Sequence, residues 1–282
     1  MRGDLLSTLW PFQSNAVSLP AMTVTAKEQP SRRDVWKMFD RIAPRYDLLN
    51  RLLSLGIDAA WRKRMIRCLP AREEMKLLDL ATGTADQAIT LVRGCNRIES
   101  AVGLDMAEKM IEIGREKIAR LGLAEIISLA TGDAGNIPKP ENFCDTVTIS
   151  FGIRNVVDVP KSLREMLRVL RPGGRALILE FSTPPGRAFK AVYLFYLRHI
   201  LPNLGAMISG DSSAYRYLNQ TIETFPSGES FCVLMRDAGF SDVKRMPLSF
   251  GIATIYQGDK PVVVSASEPV QPAIAAQTES AP

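Results

Sequence analysis

Apolar positions recur along the chain at two different periods, and the change of period marks its organisation. Val35, Phe39, Ile42 and Tyr46 repeat at helical spacing, with Pro44 near the end of the run; a second periodic stretch over residues 48–69 closes at Pro70. Two N-terminal helices are predicted, the first stopped by Pro44. From residue 76 the pattern becomes short apolar runs: KLLDLA (76–81), AVGLDM (101–106), IISLATGD (126–133), TVTISFG (146–152) and, after the turn RPGG (171–174), RALILEF (175–181). Helical periodicity lies between them over residues 86–92, 109–121 and 159–170. Strands that are apolar throughout and separated by helices describe a parallel sheet covered on both faces, a doubly wound α/β domain.

The ends of the chain read differently. Residues 1–31 hold a short apolar patch without a long uninterrupted apolar core. They are read as a disordered leader, or as an upstream extension with translation beginning at Met22, more than as a cleaved signal. Residues 259–282 are rich in Ala, Pro, Ser and Gln and are expected to form a disordered tail. The folded unit therefore spans 32–258, about the size at which a single core stops growing. No apolar run approaches the ~18 residues needed to cross a bilayer.

Composition narrows the chemistry. Of the 282 residues 46% are hydrophobic and 23% charged, as in a globular protein with a full core. The single histidine, His199, excludes a metal site needing two imidazoles and argues against the usual hydrolase triads; no metal is expected. Its helical, apolar surroundings make it a packing residue. Cysteines 68, 95, 144 and 232 form no CxxC pair and read as buried thiols. The net charge of +5 is local, because residues 35–70 carry eight cations against Asp40, Asp47 and Asp58 while the rest of the chain balances.

In a sheet of this kind ligands bind where strands end and helices begin. The first such unit, LLDLATGTADQA, has Asp79 on the strand and a small-residue turn around Gly83. A dinucleotide would want GxGxxG here for its pyrophosphate, and only Gly83 is present. An acid followed by a small-residue loop suits a ligand with an amino-acid end and no phosphate, namely S-adenosylmethionine. Asp105, ending the second strand, is placed to accept the ribose hydroxyls, and Gly132-Asp133-Ala134, ending the third, to meet the adenine edge.

The motifs FDRIAPRYDLLN, SLGIDAAWRK, LDLATGTAD, TISFGIRNVVD, RVLRPGG, LEFS and YRYLNQTI together resemble the UbiE-type quinone C-methyltransferases, over residues 35–258. The resemblance implies a seven-stranded, mostly parallel class I S-adenosylmethionine-dependent methyltransferase fold with an N-terminal helical cap (35–70) and an inserted lid (185–225). It implies cofactor contacts at Thr84, Asp105, Asp133, Ala134 and Ser150, and a substrate end lined by Tyr46, Asn50, Tyr215 and Tyr217. Three positions depart from the family pattern: Ala85 replaces a glycine, Asp58-Ala59 a His-Arg pair, and Asp133-Ala134 an Asn-Ala pair.

Methylation of a ring carbon from a sulfonium needs collinear alignment and an acceptor made nucleophilic by an adjacent oxygen, hence a reduced quinol. Arg154 and Asn155, just past Ser150, are expected to be catalytic, Arg154 by stabilising the phenolate because an arginine stays protonated at neutral pH. FP at 225–226 points to the menaquinone branch, so demethylmenaquinol to menaquinol is the expected reaction. Ubiquinone-pathway benzoquinol methylation and a non-catalytic subunit of a quinone-synthesising complex are the alternatives. Nucleic acid is disfavoured, because SFGIRN stands where base methyltransferases carry an Asn/Asp-Pro-Pro-aromatic stretch. The expected partners are a prenylated naphthoquinol, the inner face of the membrane, docked peripherally from the cytoplasm through the basic helices 35–70, and a second copy in a homodimer.

Overall fold

The computed structural model describes residues 34–54, 56–200 and 212–262. The leader and the tail beyond Val262 lie outside the described residues, as do residues 201–211 of the expected lid.

Seven strands form one sheet in the order β3-β2-β1-β4-β5-β7-β6. They are β1 (Met75–Leu80), β2 (Ile98–Asp105), β3 (Ile127–Thr131), β4 (Cys144–Ser150), β5 (Leu170–Phe181), β6 (Ser241–Leu248) and β7 (Ala253–Asp259). The first five run parallel, and β7 is antiparallel to both β5 and β6. Every residue of β4 is buried, as expected for a central strand covered on both faces. Helices α3 (Asp86–Gly94), α4 (Glu108–Arg120) and α5 (Val159–Val169) make the crossovers. Asp158 caps α5 by accepting from Lys161 N at 2.9 Å, with Pro160 in the first turn where its missing N–H costs nothing. Two apolar layers sandwich the sheet, one around Leu77, Ile89 and Ile111, the other around Leu78, Leu163 and Phe231. All four cysteines are buried free thiols, as expected.

The N-terminal helices differ from the expected pair. α1 (Val35–Leu53) runs straight through Pro44, and the break falls instead at Gly56, whose φ of +76° is the left-handed turn into α2 (Ile57–Arg64). An interior proline costs roughly 3 kcal/mol, but α1 packs against α4, where Ala43 is buried with Ala107 and Met110. Tertiary contact outweighs the local penalty.

The fold also extends past residue 258. Asp259 ends β7 in a paired contact with Arg175 at 2.6 and 2.8 Å, and the Gly173 and Lys260 N–H groups donate to Lys260 O and Gly174 O at 2.9 and 2.8 Å. RPGG is thereby drawn into the start of β5 instead of standing as a separate turn, and the tail begins later than 259. β6, mostly exposed with Lys244, Arg245 and Pro247, is a protected edge strand.

After β5 come α6 (Arg187–Phe195), a π-turn over Tyr196–Ile200, α7 (Ser212–Thr224) and α8 (Glu229–Asp237). His199 corrects its expectation. It is exposed on the π-turn, its ring 4.9 Å from Phe195, because the apolar face of this segment is turned by Tyr193 and Leu197 toward Ile222.

Candidate active site

The strand order reverses between β1 and β4, and the crevice beyond their carboxyl ends is where such sheets bind ligands. A cavity of about 290 Å³ opens there, lined by Gly83, Asp105, Asp133, Ala134, Ser150 and Asn155 among others. The loop after β1 is tightly folded. Ala81, Gly83 and Ala85 all have positive φ (46°, 56° and 66°), a conformation costing an alanine of order 1 kcal/mol or more. Ala85 is fully buried, so the methyl that replaces the family glycine points into protein and leaves the cavity clear.

Asp105 organises this loop. Its Oδ2 accepts from Gly83 N and its Oδ1 from Ala107 N, each at 2.8 Å. Burial pushes its carboxyl up while these backbone donors pull it down. Asp133 and Ala134 sit on the opposite wall, Asp133 turned by a 2.8 Å bond from Gly135 N. A nucleoside fits this arrangement: a carboxylate at a strand end faces the ribose position, and a hydrogen-bonding turn stands across from it.

Asp79 and Thr84 lie below the main cavity, on a small polar recess shared with Gly83 and Ser150. Asp79 is 1% exposed and lies beneath the loop, accepting from Thr82 Oγ1 at 2.7 Å and Thr148 Oγ1 at 2.5 Å. It supports the loop from behind. Thr84 turns its hydroxyl away from the main cavity, donating to Asp47 Oδ1 at 2.6 Å and accepting from Lys117 Nζ at 2.9 Å. Lys117 also reaches Asp47 and Asp86, so Thr84 belongs to a cluster joining α1, α3 and α4. Both residues border only a small polar recess, together with Gln87, whose buried Nε2 has no partner and whose Oε1 accepts from Ser150 Oγ at 3.1 Å. An unpartnered amide donor beside the loop fits the carboxylate of an amino-acid ligand end. Gln87 was not read from the sequence, where a glutamine in the first turn of a helix carries no signal.

Burial lifts the Asp79 carboxyl to about 6, with the two threonine bonds pulling the other way. An acid raised above its unfolded value near 4 stabilises the fold below that value and loses this contribution as pH rises through about 6. By neutral pH the cost is about 3 kcal/mol at ~1.4 kcal/mol per unit. Asp79→Asn should therefore raise the thermal midpoint of the ligand-free protein at pH 7.5 and flatten its pH dependence between pH 4 and 6. Parallel melting curves for the two proteins would sink this reading.

A second cavity adjoins the first, sharing Phe39, Tyr46 and Phe151 with it, and is otherwise lined by Ile42, Asn50, Arg62, Arg154, Phe181 and Tyr217 among others. Tyr46 thus stands where the two meet; burial pushes its hydroxyl up, and the Asn50 side chain hydrogen-bonds it. Tyr217 is buried and donates to Asn155 Oδ1 at 3.3 Å. Tyr215 lies on α7, its side chain outside what the structure describes.

Arg154 faces this cavity in a specific pairing. Its Nη1 donates to Glu180 Oε1 at 2.6 Å and to Phe151 O at 2.7 Å, with both members of the ion pair almost fully buried. Glu180 was missed in the sequence, although a lone acid inside the apolar run ALILEF is a legible signal. Phe151 holds a φ of +58°, rare for a bulky residue, fixed by its N–H to Leu179 O at 2.7 Å and by the Arg154 bond to its carbonyl. Strain of this kind at the end of β4 lays the Phe151 ring against Phe181, centroids 4.5 Å apart.

The sequence model of the ubiE/COQ5 methyltransferase family matches residues 23–260. The chain belongs to that family. The methyltransferase is 48% identical to the "Ubiquinone/menaquinone biosynthesis C-methyltransferase UbiE" of Geobacter sulfurreducens over 79% of its own length and 87% of the relative's. It is 46% identical to the "Demethylmenaquinone methyltransferase" of Thermus thermophilus over 79% of its own length and the whole of the relative. Among solved structures it resembles the [4+2]-cyclase SpnF, with a TM-score of 0.60 at 16% identity, covering 83% of this chain and 98% of that one. It also resembles a SAM-dependent methyltransferase from Thermotoga maritima, with a TM-score of 0.56 at 20% identity, covering 80% and 99%. These two likenesses establish the class I methyltransferase fold.

Proposed function

We propose that this methyltransferase transfers a methyl group from S-adenosylmethionine to a ring carbon of a reduced, prenylated demethylnaphthoquinol, converting demethylmenaquinol to menaquinol. The observation that carries the reading is the pair of adjoining cavities: one carboxylate-bearing at the nucleoside position, the other aromatic and aliphatic with two buried arginines. The names of the relatives agree with it.

When bound, the donor supplies an electrophilic sulfonium methyl. Asp105, Gly83, Asp133, Ala134 and Ser150 hold and orient it, with Gln87 at its amino-acid end and Asp79 supporting the loop. Phe39, Tyr46 and Phe151 form the shared wall across which donor and acceptor must be collinear, the arrangement from which such reactions draw most of their rate. Arg154 and Asn155 orient the acceptor hydroxyl. Arg154 works by hydrogen bonding and position, since its charge is largely answered by Glu180. Tyr46, Asn50 and Tyr217 line the acceptor side, and Tyr215 shares the helix of Tyr217.

The acceptor's tail places the enzyme at a lipid surface. No helix among the described residues is long and apolar enough to cross a membrane. Lys37, Arg41, Arg45, Arg51, Lys63, Arg64 and Arg67 are exposed in the N-terminal cap, and α6 exposes Val192 and Phe195 beside Arg187 and Lys190. Cations of this kind contribute ~1 kcal/mol each near an anionic surface. The reading is therefore peripheral docking on the inner face of the membrane, with a homodimer as the proposed assembly.

The test is methyl incorporation into prenylated demethylnaphthoquinol, kept reduced or kept oxidised, in vesicles with or without anionic lipid. Product is expected from the reduced form only, faster on anionic vesicles, with the sedimentation coefficient reporting the assembly. Product from the oxidised quinone, or from neither, overturns the mechanism. Turnover of a benzoquinol alone moves the enzyme to the ubiquinone branch.

A further inference from the structure

The sequence puts Arg62 among the cations of a basic surface, yet in the structure its side chain is only 8% exposed and lines the acceptor cavity. α2 is anchored by Trp61, whose indole N–H donates to Ser249 Oγ at 2.9 Å and whose ring packs against Phe151 and Phe181. That anchor fixes its neighbour. The Arg62 guanidinium lies over the Phe151 ring at 5.3 Å, and Arg154 lies over Phe181 at 5.4 Å, so two rings in tilted contact carry a guanidinium each.

The two arginines differ in how their charge is answered. Arg154 is hydrogen-bonded to Glu180 at 2.6 Å. Among the described residues Arg62 has its ion pair with Asp58, whose nearest oxygen is 3.8 Å from Nε, beyond hydrogen-bond range, and whose carboxylate already accepts from Ser54 Oγ at 2.7 Å. Among the described residues the buried Nε of Arg62 has no hydrogen-bond partner, and neither has that of Arg154, so the two differ in their counter-charge and not in this open N–H. A buried arginine N–H left open, on a cation with a loose counter-charge, is costly unless a ligand completes it. Arg62 also lines the recess under the cofactor loop, and its positive charge bears on both Tyr46 and Asp79. It therefore stands at the junction of the donor and acceptor sides.

We infer that Arg62 is a catalytic residue that binds the oxygen of the acceptor ring as negative charge develops on it, with Asp58 as its loose counter-charge and Arg154 orienting the hydroxyl. This rests on the quinol reading above. One hydroxyl loses its proton to solvent water; the ring carbon bonds the methyl group as the carbon–sulfur bond breaks, its electron pair returning to sulfur so that S-adenosylhomocysteine leaves; the ring C–H proton then passes to the oxygen, and one proton is released overall. Arg62 lowers the cost of the charged oxygen at the first two stages, where a preorganised donor in a dry site acts most strongly.

The experiment compares wild type, Arg62→Lys, Arg62→Met and Arg62→Met/Asp58→Asn, the last removing both charges so that no unpaired carboxylate is left buried. Donor affinity is read by calorimetry, and turnover across pH with reduced demethylnaphthoquinol. Expected for the double variant is a fall in kcat of about 100-fold with donor affinity within about threefold, and an acid limb of the kcat profile moved up by about one pH unit. Arg62→Lys should keep at least about a tenth of the activity. A double variant with wild-type kcat and an unmoved profile overturns the assignment, as does a loss confined to donor binding and cured by saturating donor. Failure of wild type to methylate any quinol sinks the functional reading itself; an active wild type beside an equally active variant sinks only the role of Arg62.

Discussion

Arg154→Met is expected to lower both turnover and stability, and the two losses should separate in a second variant. Removing Arg154 strips Glu180 of its ion pair while the carboxylate stays almost fully buried. Breaking one half of such a pair costs about 3–5 kcal/mol. Burial already pushes the Glu180 carboxyl up against the pull of Arg154, and the loss of Arg154 pushes it further. A raised acid loses its stabilising contribution as pH rises through its folded value, so the deficit of the variant should be smallest in acid and grow toward neutral pH.

Arg154→Met/Glu180→Gln should recover most of the stability, because a neutral amide needs no counter-charge, yet recover none of the turnover. The expected kcat is lower than wild type by about 10²-fold in both variants, with donor affinity unchanged. Thermal melts between pH 5 and 8, with kcat at saturating donor, check both halves. Recovery of turnover along with stability would show Arg154 to be structural only.

Asp105→Ala is expected to cost donor affinity by about 100-fold or more. The carboxylate holds the Gly83 and Ala107 N–H groups at 2.8 Å, and hydrogen bonds to a charged group are each worth about 1.5–3 kcal/mol. Alanine removes the acceptor for the ribose and releases the left-handed loop that the cofactor needs folded. Asp105→Asn keeps the shape and one acceptor oxygen, and should lie between alanine and wild type. Calorimetric titration with S-adenosylmethionine gives the answer; an alanine variant binding within about threefold of wild type would remove Asp105 from the site.

The architecture was legible because it rests on periodicity. Short uncharged runs such as TVTIS, separated by helical stretches, fit strands of a sheet covered on both faces, and the register of β1, β2 and β4 realises that pattern. The positions of Gly83, Asp105, Asp133 and Ala134 followed as well, since in such a sheet the residues ending parallel strands converge on one edge whatever the packing elsewhere. Pro44 shows the limit of local rules: its helix continues because α4 supplies a packing surface that propensity cannot see.

Charge was the least legible property. Arg62 and Lys63 are adjacent in a basic stretch, yet one is buried in the acceptor cavity and the other exposed. Arg154 and Glu180, 26 positions apart, become a single buried unit, and Thr84 spends its hydroxyl on Asp47 of α1. The sequence by itself determined the doubly wound α/β class, through the periods of its apolar positions, and the family, through its local motifs, because both are written in neighbouring residues along the chain. Only the tertiary structure decided which cations are answered and which are left open, because that depends on distances between segments that no spacing in the chain records.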